Sequence, residues 1–419
     1  MKKILSFAWV ACIAVASLFA APADFHPLPP DLDGSMMPID FSLCDSPVIP
    51  DSLSPVFAAY VSRHGARYLS SPAKVEILNS ALTDADKISS LSDTGRDFLS
   101  LIREVIATNE GKWGELSPIG ISEQKTMGAH LASVFPALTG KAKTHSVSSY
   151  VPRCVMTMYE FNAELNRCSK GLEAATDEGR QFNPWLRCFS ADTAYSYYRK
   201  DGDWKHVYND FVRRYVPIAP ARRLFAHTNL DDNALRHLTM EMYQVLKANR
   251  VAGLPAPTTQ WMSVDEYRLC WKADNLNHYL RNNITPLSSL AGQASSPLAL
   301  ELIRAIDAAV ATNCPDTVLE GYFGHAETLL PLFSLLRIPG CFALPLDYDD
   351  LDKTWRVQDI TPLGANLLIL TCKSPSGEIY ISLQLNGHNI APWPDAPQPV
   401  KWSELRDYWL HLINSYSRP

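Results

Sequence analysis

The sequence predicts an α/β fold with a largely helical second lobe set into it. Short apolar runs of strand length alternate with helical periodicity near both ends of the chain. Between them, residues 170–313 show helical spacing, are rich in Tyr, Trp, Asn and Arg, and have few continuous apolar runs. The composition, 47% hydrophobic and 20% charged over 419 residues, is that of a folded chain rather than a disordered one. The organisation expected is a leader over 1–23, an α/β core from 24–169 and 314–419, and a mostly helical lobe from 170–313.

The leader rests on Lys2 and Lys3 followed by an apolar stretch from 4 to 19 and the small residues Ala20, Ala21, Pro22 and Ala23. That is the pattern of a secretory signal peptide cleaved between 20 and 23. The apolar run is shorter than the roughly 20 residues of a spanning helix, and no other run is long and apolar enough to cross a bilayer. The expected location is therefore periplasmic or secreted, with no stable membrane span.

Residues 24–54, rich in Pro and Asp, read as an irregular lead-in. The compact apolar run 55–61 predicts a buried strand, left by a loop over 62–67. Helical spacing follows over 74–91 and 94–109, with Gly111 as a stop signal. Ser117-Pro118 opens a further helix, with an N-cap residue and a proline at the first position. A short strand is expected at 144–148 and a helix at 153–167. In the middle stretch, helices are expected at 203–215, 232–249, 264–280 and 297–313. A strand at 317–323 leads through Gly324-His325 into a helix at 326–336. Alternation over 366–372 and 378–385, with Pro375-Ser376-Gly377 between, predicts an antiparallel hairpin. A helix over 402–416 closes the chain.

Charge and repeats exclude several classes. Lys plus Arg number 38 against 44 Asp plus Glu, for a formal charge of −6, so a nucleic-acid partner is not expected. No heptad, collagen-like or solenoid period is present. Of the nine cysteines, Cys12 leaves with the leader. The even remainder, Cys44, Cys154, Cys168, Cys188, Cys270, Cys314, Cys341 and Cys372, predicts at least one disulfide in an oxidising compartment, with the pairing open. No C-x-x-C occurs, and His145, His227, His237 and His278 show no metal-ligand spacing.

The strongest chemical signal is Arg63-His64-Gly65-Ala66-Arg67, directly after a predicted strand. An imidazole suits nucleophilic attack on phosphorus. Flanking guanidinium forks pair with phosphate oxygens in a way lysine does less well. Gly65 lets the backbone approach closely. The second signal is Gly324-His325-Ala326-Glu327-Thr328, at a strand-to-helix junction where backbone N–H groups favour an anion. His325 there could donate to a phosphate oxygen, and Glu327 could protonate a leaving oxygen. Taken alone, Glu327 would serve equally well as a first-turn acid complementing the helix dipole. The third signal, Arg153-Cys154 after a strand-like stretch, adds a guanidinium that in isolation reads as a surface arginine.

Arg-His-Gly-x-Arg near the start and a late His-carboxylate pair resemble the histidine acid phosphatases. The His-Ala-Glu form of the late pair, with Arg153-Cys154, is similar to the multiple inositol polyphosphate phosphatase branch, which includes secreted bacterial phytases. The resemblance spans about 55–390. It implies a phosphoglycerate-mutase-like three-layer core with the helical lobe over the active site. It implies hydrolysis of inositol polyphosphates through a phosphohistidine, with no cofactor and no metal, and with a small phosphorylated molecule as partner. His64 would be the nucleophile and Glu327 the proton donor. Arg63, Arg67, Arg153 and His325 would hold the transferring phosphoryl group. Asn183-Pro184-Trp185-Leu186-Arg187 also resembles a stretch of that branch, which makes Arg187 a candidate for non-reacting phosphates; Arg180 reads better as a surface ion pair. The alternatives are a broad or phosphoglycerate-directed acid phosphatase, and a polyanion-binding relative without catalysis. Arg213-Arg214 and Arg222-Arg223 read as solvated faces, and Tyr195, Tyr197, Tyr198 and Trp204 as lobe core.

Overall fold

Ser54–Arg63 forms β1, and every residue from Phe57 to Arg63 is buried. The strand is covered on both faces, so it reads as a continuous apolar run rather than an alternating one. The computed structural model describes residues 25–41, 44–311 and 315–416; the expected leader and Cys314 lie outside them. Seven further strands join β1 in one sheet: β2 Lys143–Ser148, β3 Glu173–Glu178, β4 Thr317–Gly324, β5 Asn366–Lys373, β6 Ile379–Leu385, β7 His388–Ile390 and β8 Val400–Lys401. The order is β3-β2-β4-β1-β5-β6-β7, with β8 also on β6. The four strands from β3 to β1 are parallel, and those beyond β1 pair antiparallel.

Helices cover both faces. Pro118–Val134 (here α3, after α1 Ala73–Lys87 and α2 Asp93–Asn109) and α4 Pro152–Cys168 pack over Ala58, Tyr60, Leu319 and Phe323. Phe57, Ala59 and Val61 face the other way, into the larger cluster that also holds the lobe. That lobe contains α5 Thr193–Asp201, α6 Trp204–Tyr215, α7 Asp232–Leu246 and α8 Val264–Asn282. Three helices complete the second face: α9 Leu290–Val310, α10 Ala326–Leu335 and α11 Trp402–Tyr416. The result is a mixed α/β fold, as the sequence predicts, with helical layers on either side of the sheet. No helix of the described residues is long and apolar enough to cross a membrane.

Several elements differ from expectation, and α5, β7 and β8 have no expected counterpart. The strand β3 has no counterpart among the expected elements, because Glu-Ala-Ala-Thr-Asp-Glu lacks apolar alternation; as an edge strand it is largely exposed and is held by its parallel pairing to β2. His145 reinforces that edge, reaching Glu320 at 2.9 Å and Asp177 at 3.1 Å. The helix expected from 297 begins at Leu290 and carries Pro297 inside it, so the proline does not mark its start. The lead-in contains a 3₁₀ helix, Pro30–Met36, whose Asp33, Gly34, Ser35 and Met36 are buried.

The expected disulfide is not formed among the described residues. Cys44, Cys154, Cys168, Cys188, Cys270, Cys341 and Cys372 are all free thiols. Five of them are buried and packed as small apolar side chains, the ordinary fate of a free cysteine in a large core. Tyr195, Tyr198 and Trp204 are lobe core as expected, whereas Tyr197 is exposed.

Candidate active site

The parallel strands bring the sequence signals together. Arg63 of β1 pairs with Gly324 of β4, and Ser148 of β2 pairs with Phe323. All three strands therefore end along one edge, the usual ligand-binding edge of such sheets. The ladder runs one residue further: His64 N–H donates to Gly324 O at 3.0 Å and Ser149 N–H to Phe323 O at 3.0 Å. His64, His325 and the loop leading to Arg153 thus leave the sheet side by side.

His64 is 3% exposed. Its Nδ1 lies 2.9 Å from the carbonyl of Gly65. A carbonyl only accepts, so Nδ1 carries the proton and Nε2 presents a lone pair. Burial, followed by Arg153, Arg63 and Arg67, holds the imidazole pKa well below its ordinary value. Burial and the neighbouring arginines thus favour the uncharged ring, the form that can act as a nucleophile.

The loop after His64 is clamped from below. Gly65 N–H donates to Thr157 Oγ1 at 3.1 Å. A Cβ at Gly65 would lie 2.9 Å from the carbonyl of Gly120, so the glycine serves close packing on α3 rather than approach to a ligand. Ala66 N–H donates to Glu123 Oε2 at 2.7 Å, while Oε1 is buried with no partner. Burial pushes the Glu123 carboxyl up to about 8. The unfolded chain would release that proton near 4.5, so stability falls as pH rises from there through 8. Glu123→Gln keeps an acceptor for Ala66 but cannot titrate. Its melting temperature should therefore drop less between pH 5 and pH 8 than that of the wild type. Parallel melting curves for the two proteins would assign the pH dependence elsewhere.

Four guanidinium groups converge. Arg63 Nη1 donates to Ser35 O and to Thr361 O, each at 2.6 Å. Arg67 Nη1 donates to Tyr68 O at 2.8 Å. Arg153, in the first turn of α4, reaches His325 Nδ1 at 3.3 Å. Arg187 reaches His325 Nε2 at 3.3 Å. The Nε atom of each of the four is buried without a protein partner. Burial lowers Arg63 to about 10 and Arg67 to about 9, with the Arg153 charge adding to the effect. Buried like charges with unpaired donors are costly until an anion neutralises them, so the arrangement is built to receive one.

His325 caps α10. Its ring stands edge-on to His64 with centroids 5.7 Å apart, and its Nε2 is 3.1 Å from Ser149 Oγ. Burial, then Arg153, keeps its pKa well below the ordinary value. Glu327, in the first turn of α10, is half-buried and accepts from Arg199 Nη2 at 3.4 Å. Burial alone would raise its carboxyl pKa. Arg199, then His325 and a backbone N–H, instead hold it well below the usual carboxylate range.

Every residue singled out from the sequence reaches this site, but Arg187 is not remote. It lies over the rings of Tyr150 and Phe189, at 5.0 and 4.9 Å, directly against His325. The side chain expected to meet a non-reacting phosphate thus lies within the same cluster as His325. Arg180 stacks on Tyr150 as well, at 4.5 Å. Arg199, Ser149 and Glu123 are site residues without a sequence signal, because single residues inside polar helices or loops carry no motif. Arg213 is solvated as expected and pairs with Asp210, while also lining the rim of the cleft; Arg214, Arg222 and Arg223 likewise pair with acids at the surface.

The cleft above His64 has a volume of about 1080 Å³. Eight Lys and Arg side chains line it against four Asp and Glu, although the whole chain carries a net charge of −6. Among the described residues no group of three His, Cys, Asp or Glu side chains is placed to hold a metal ion.

A buried neutral histidine at the end of a parallel strand, ringed by arginines and faced by a second histidine and a carboxylate, defines a phosphate-handling histidine enzyme. The chain belongs to the histidine phosphatase superfamily, branch 2, whose family model matches residues 56–386. It is similar in structure to the multiple inositol polyphosphate phosphatase of Bifidobacterium longum. The phosphate complex of that protein matches with a TM-score of 0.75 at 15% identity, over 92% of this chain and 98% of that one. Its inositol hexasulfate complex gives 0.74 at 15% identity, over 88% and 94%. The phytase from D. castellii gives 0.70 at 15% identity, over 92% and 85%.

Proposed function

We propose that this histidine phosphatase is an exported phosphomonoesterase that hydrolyses inositol polyphosphates through a phosphohistidine. The observation that carries the substrate class is the cleft. Lys74, Arg213, Arg236 and Arg281 line it beyond the arginines around His64. One phosphate needs only the inner set; a ligand bearing several phosphates uses both. Phosphate and inositol hexasulfate, the ligands in the similar Bifidobacterium longum structures, support the same reading.

In this mechanism Arg63, Arg67, Arg153, Arg187 and His325 hold the reacting phosphoryl group, and their charges compensate its own. His64 Nε2 attacks phosphorus. The bond to the leaving oxygen breaks, and that oxygen takes a proton from Glu327, whose carboxyl is drawn back to its protonated form by the negative charge of the bound phosphates. Water then attacks the phosphorus of phosphohistidine, the Glu327 carboxylate takes the water's proton, and phosphate leaves with His64 restored. No step calls on a metal.

The test is phosphate release by the purified protein from phytate, 3-phosphoglycerate and p-nitrophenyl phosphate, with a chelator present in the last two assays. Release from phytate at least as efficient as from the others is expected, and chelation should leave p-nitrophenyl phosphate hydrolysis intact. Preference for the small esters would make it a general or phosphoglycerate-directed acid phosphatase. No release from any of them would leave a polyanion binder, and activity restored only by a divalent ion would overturn the metal-free route.

A further inference from the structure

Glu327 faces a cation that no sequence motif marks. Arg199 projects from α5 with its guanidinium against the Phe189 ring, 5.1 Å from the centroid. Its Nε donates to Asn282 Oδ1 at 3.1 Å and its Nη2 to Glu327 Oε1 at 3.4 Å. Asn282 is itself buried and fixed, donating to the carbonyl of His278 at 3.0 Å. The fork is thus aimed at the carboxylate from a rigid seat; the Arg199 side chain is only 13% exposed. With its cation fixed and largely buried and its carboxylate half-buried, the pair is screened less than one between two exposed side chains.

Resting on the phosphohistidine reading, the geometry points to Arg199 as a positioning residue that holds the Glu327 carboxyl beside the leaving group and sets the upper pH limit of proton delivery. A general acid works only while it is protonated, and a neighbouring cation favours the ionised form. Glu327 is asked for both forms in turn, acid in the first step and base in the second. Arg199 tilts it towards the base.

Other groups face the same carboxyl. His325 stands beside it on α10, and the charges of His278 and Arg281 on α8 and of Arg63 and Arg67 on β1 and its loop also act on it. The thiols of Cys154 and Cys188 and the phenol of Tyr195 are pushed up by burial and stay neutral. What separates Arg199 from the other cations is where it points. Arg63, Arg67 and Arg153 crowd around His64, where an incoming phosphate neutralises them. Arg199 is turned away by Phe189 and Asn282, so it remains the cation on Glu327 when substrate is bound.

The experiment is the pH dependence of the single-turnover phosphorylation burst in Arg199→Met, Arg199→Lys and wild type, with phytate and with p-nitrophenyl phosphate. In Arg199→Met the alkaline limb with phytate should move up by about 1 pH unit or more. Arg199→Lys should bring it back towards the wild-type position. The limb with p-nitrophenyl phosphate, whose leaving anion needs no proton, should not follow. A limb that stays in place, or that moves equally for both substrates, overturns the proposal.

Titration of the Glu327 carboxyl by ¹³C NMR gives an answer that does not depend on turnover; its midpoint should rise in Arg199→Met. A raised midpoint in an enzyme without a phosphoenzyme burst would sink the phosphohistidine reading and leave the link between Arg199 and Glu327 standing. An unmoved midpoint sinks the role of Arg199 whatever the turnover. Should Arg199→Met fail to fold, Asn282→Ala, which frees the guanidinium without removing it, should give a smaller upward shift, and no shift there overturns the proposal.

Discussion

Replacing His64 by alanine should lower kcat by more than about 10³-fold on every phosphomonoester, because the covalent route has no second nucleophile at the strand end. The fold should survive. The imidazole makes one hydrogen bond to the protein, to Gly65 O, and its loss costs about 1 kcal/mol. The clamp beneath the loop, through Thr157 and Glu123, does not involve the ring. In the parent enzyme, quenching during turnover should trap acid-labile, alkali-stable phosphate on His64. Phosphate found on a serine, or on no residue at all, would refute the mechanism. A variant that binds phytate normally but turns nothing over would separate chemistry from binding.

The second large effect belongs to Glu327. Glu327→Gln keeps the size and the hydrogen bond from Arg199 but has no proton to give. Expelling an inositol alkoxide requires one in the transition state; expelling p-nitrophenolate does not. General acid catalysis contributes about 10²–10⁴-fold, so phosphorylation of His64 by phytate should slow by that factor and phosphorylation by p-nitrophenyl phosphate much less. The comparison must be made in a single-turnover burst, since the same carboxylate activates water in the second step. Equal losses for the two substrates would make Glu327 an electrostatic support for His325, with the proton supplied from elsewhere.

The parts of this site that can be read in the sequence are those whose chemistry is compressed into a few adjacent residues. Arg63 to Arg67 and Gly324 to Glu327 each place a charge pattern on a strand end, so strand, loop and role are visible together. The hairpin of β5 and β6 is equally legible, because alternation and a turn around Gly377 occur within one short stretch. Arg199 and Glu123 are not legible. Each acts through a partner more than 50 residues away, and an isolated Arg or Glu in a helix is ordinary helix composition. Arg187 is legible as a residue but not as a location. The turn that carries it folds back between Tyr150 and Phe189, a contact that no local pattern encodes. The disulfide expectation fails for a related reason. Cysteine count speaks to compartment, whereas pairing depends on which side chains the core happens to bring together.

The register of the parallel strands also constrains how the enzyme comes into being. β1, completed at Arg63, has its two neighbours at Thr317–Gly324 and Asn366–Lys373. During synthesis, at roughly 5–20 residues per second, an apolar strand that ends up covered on both faces waits on the order of tens of seconds for its first partner. Pairings this distant along the chain also make for slow closure once the partners exist. Nascent chains of this protein are therefore expected to be clients of holding chaperones. Truncation anywhere before β4 leaves β1 without either neighbour, and should yield aggregates rather than a smaller working enzyme.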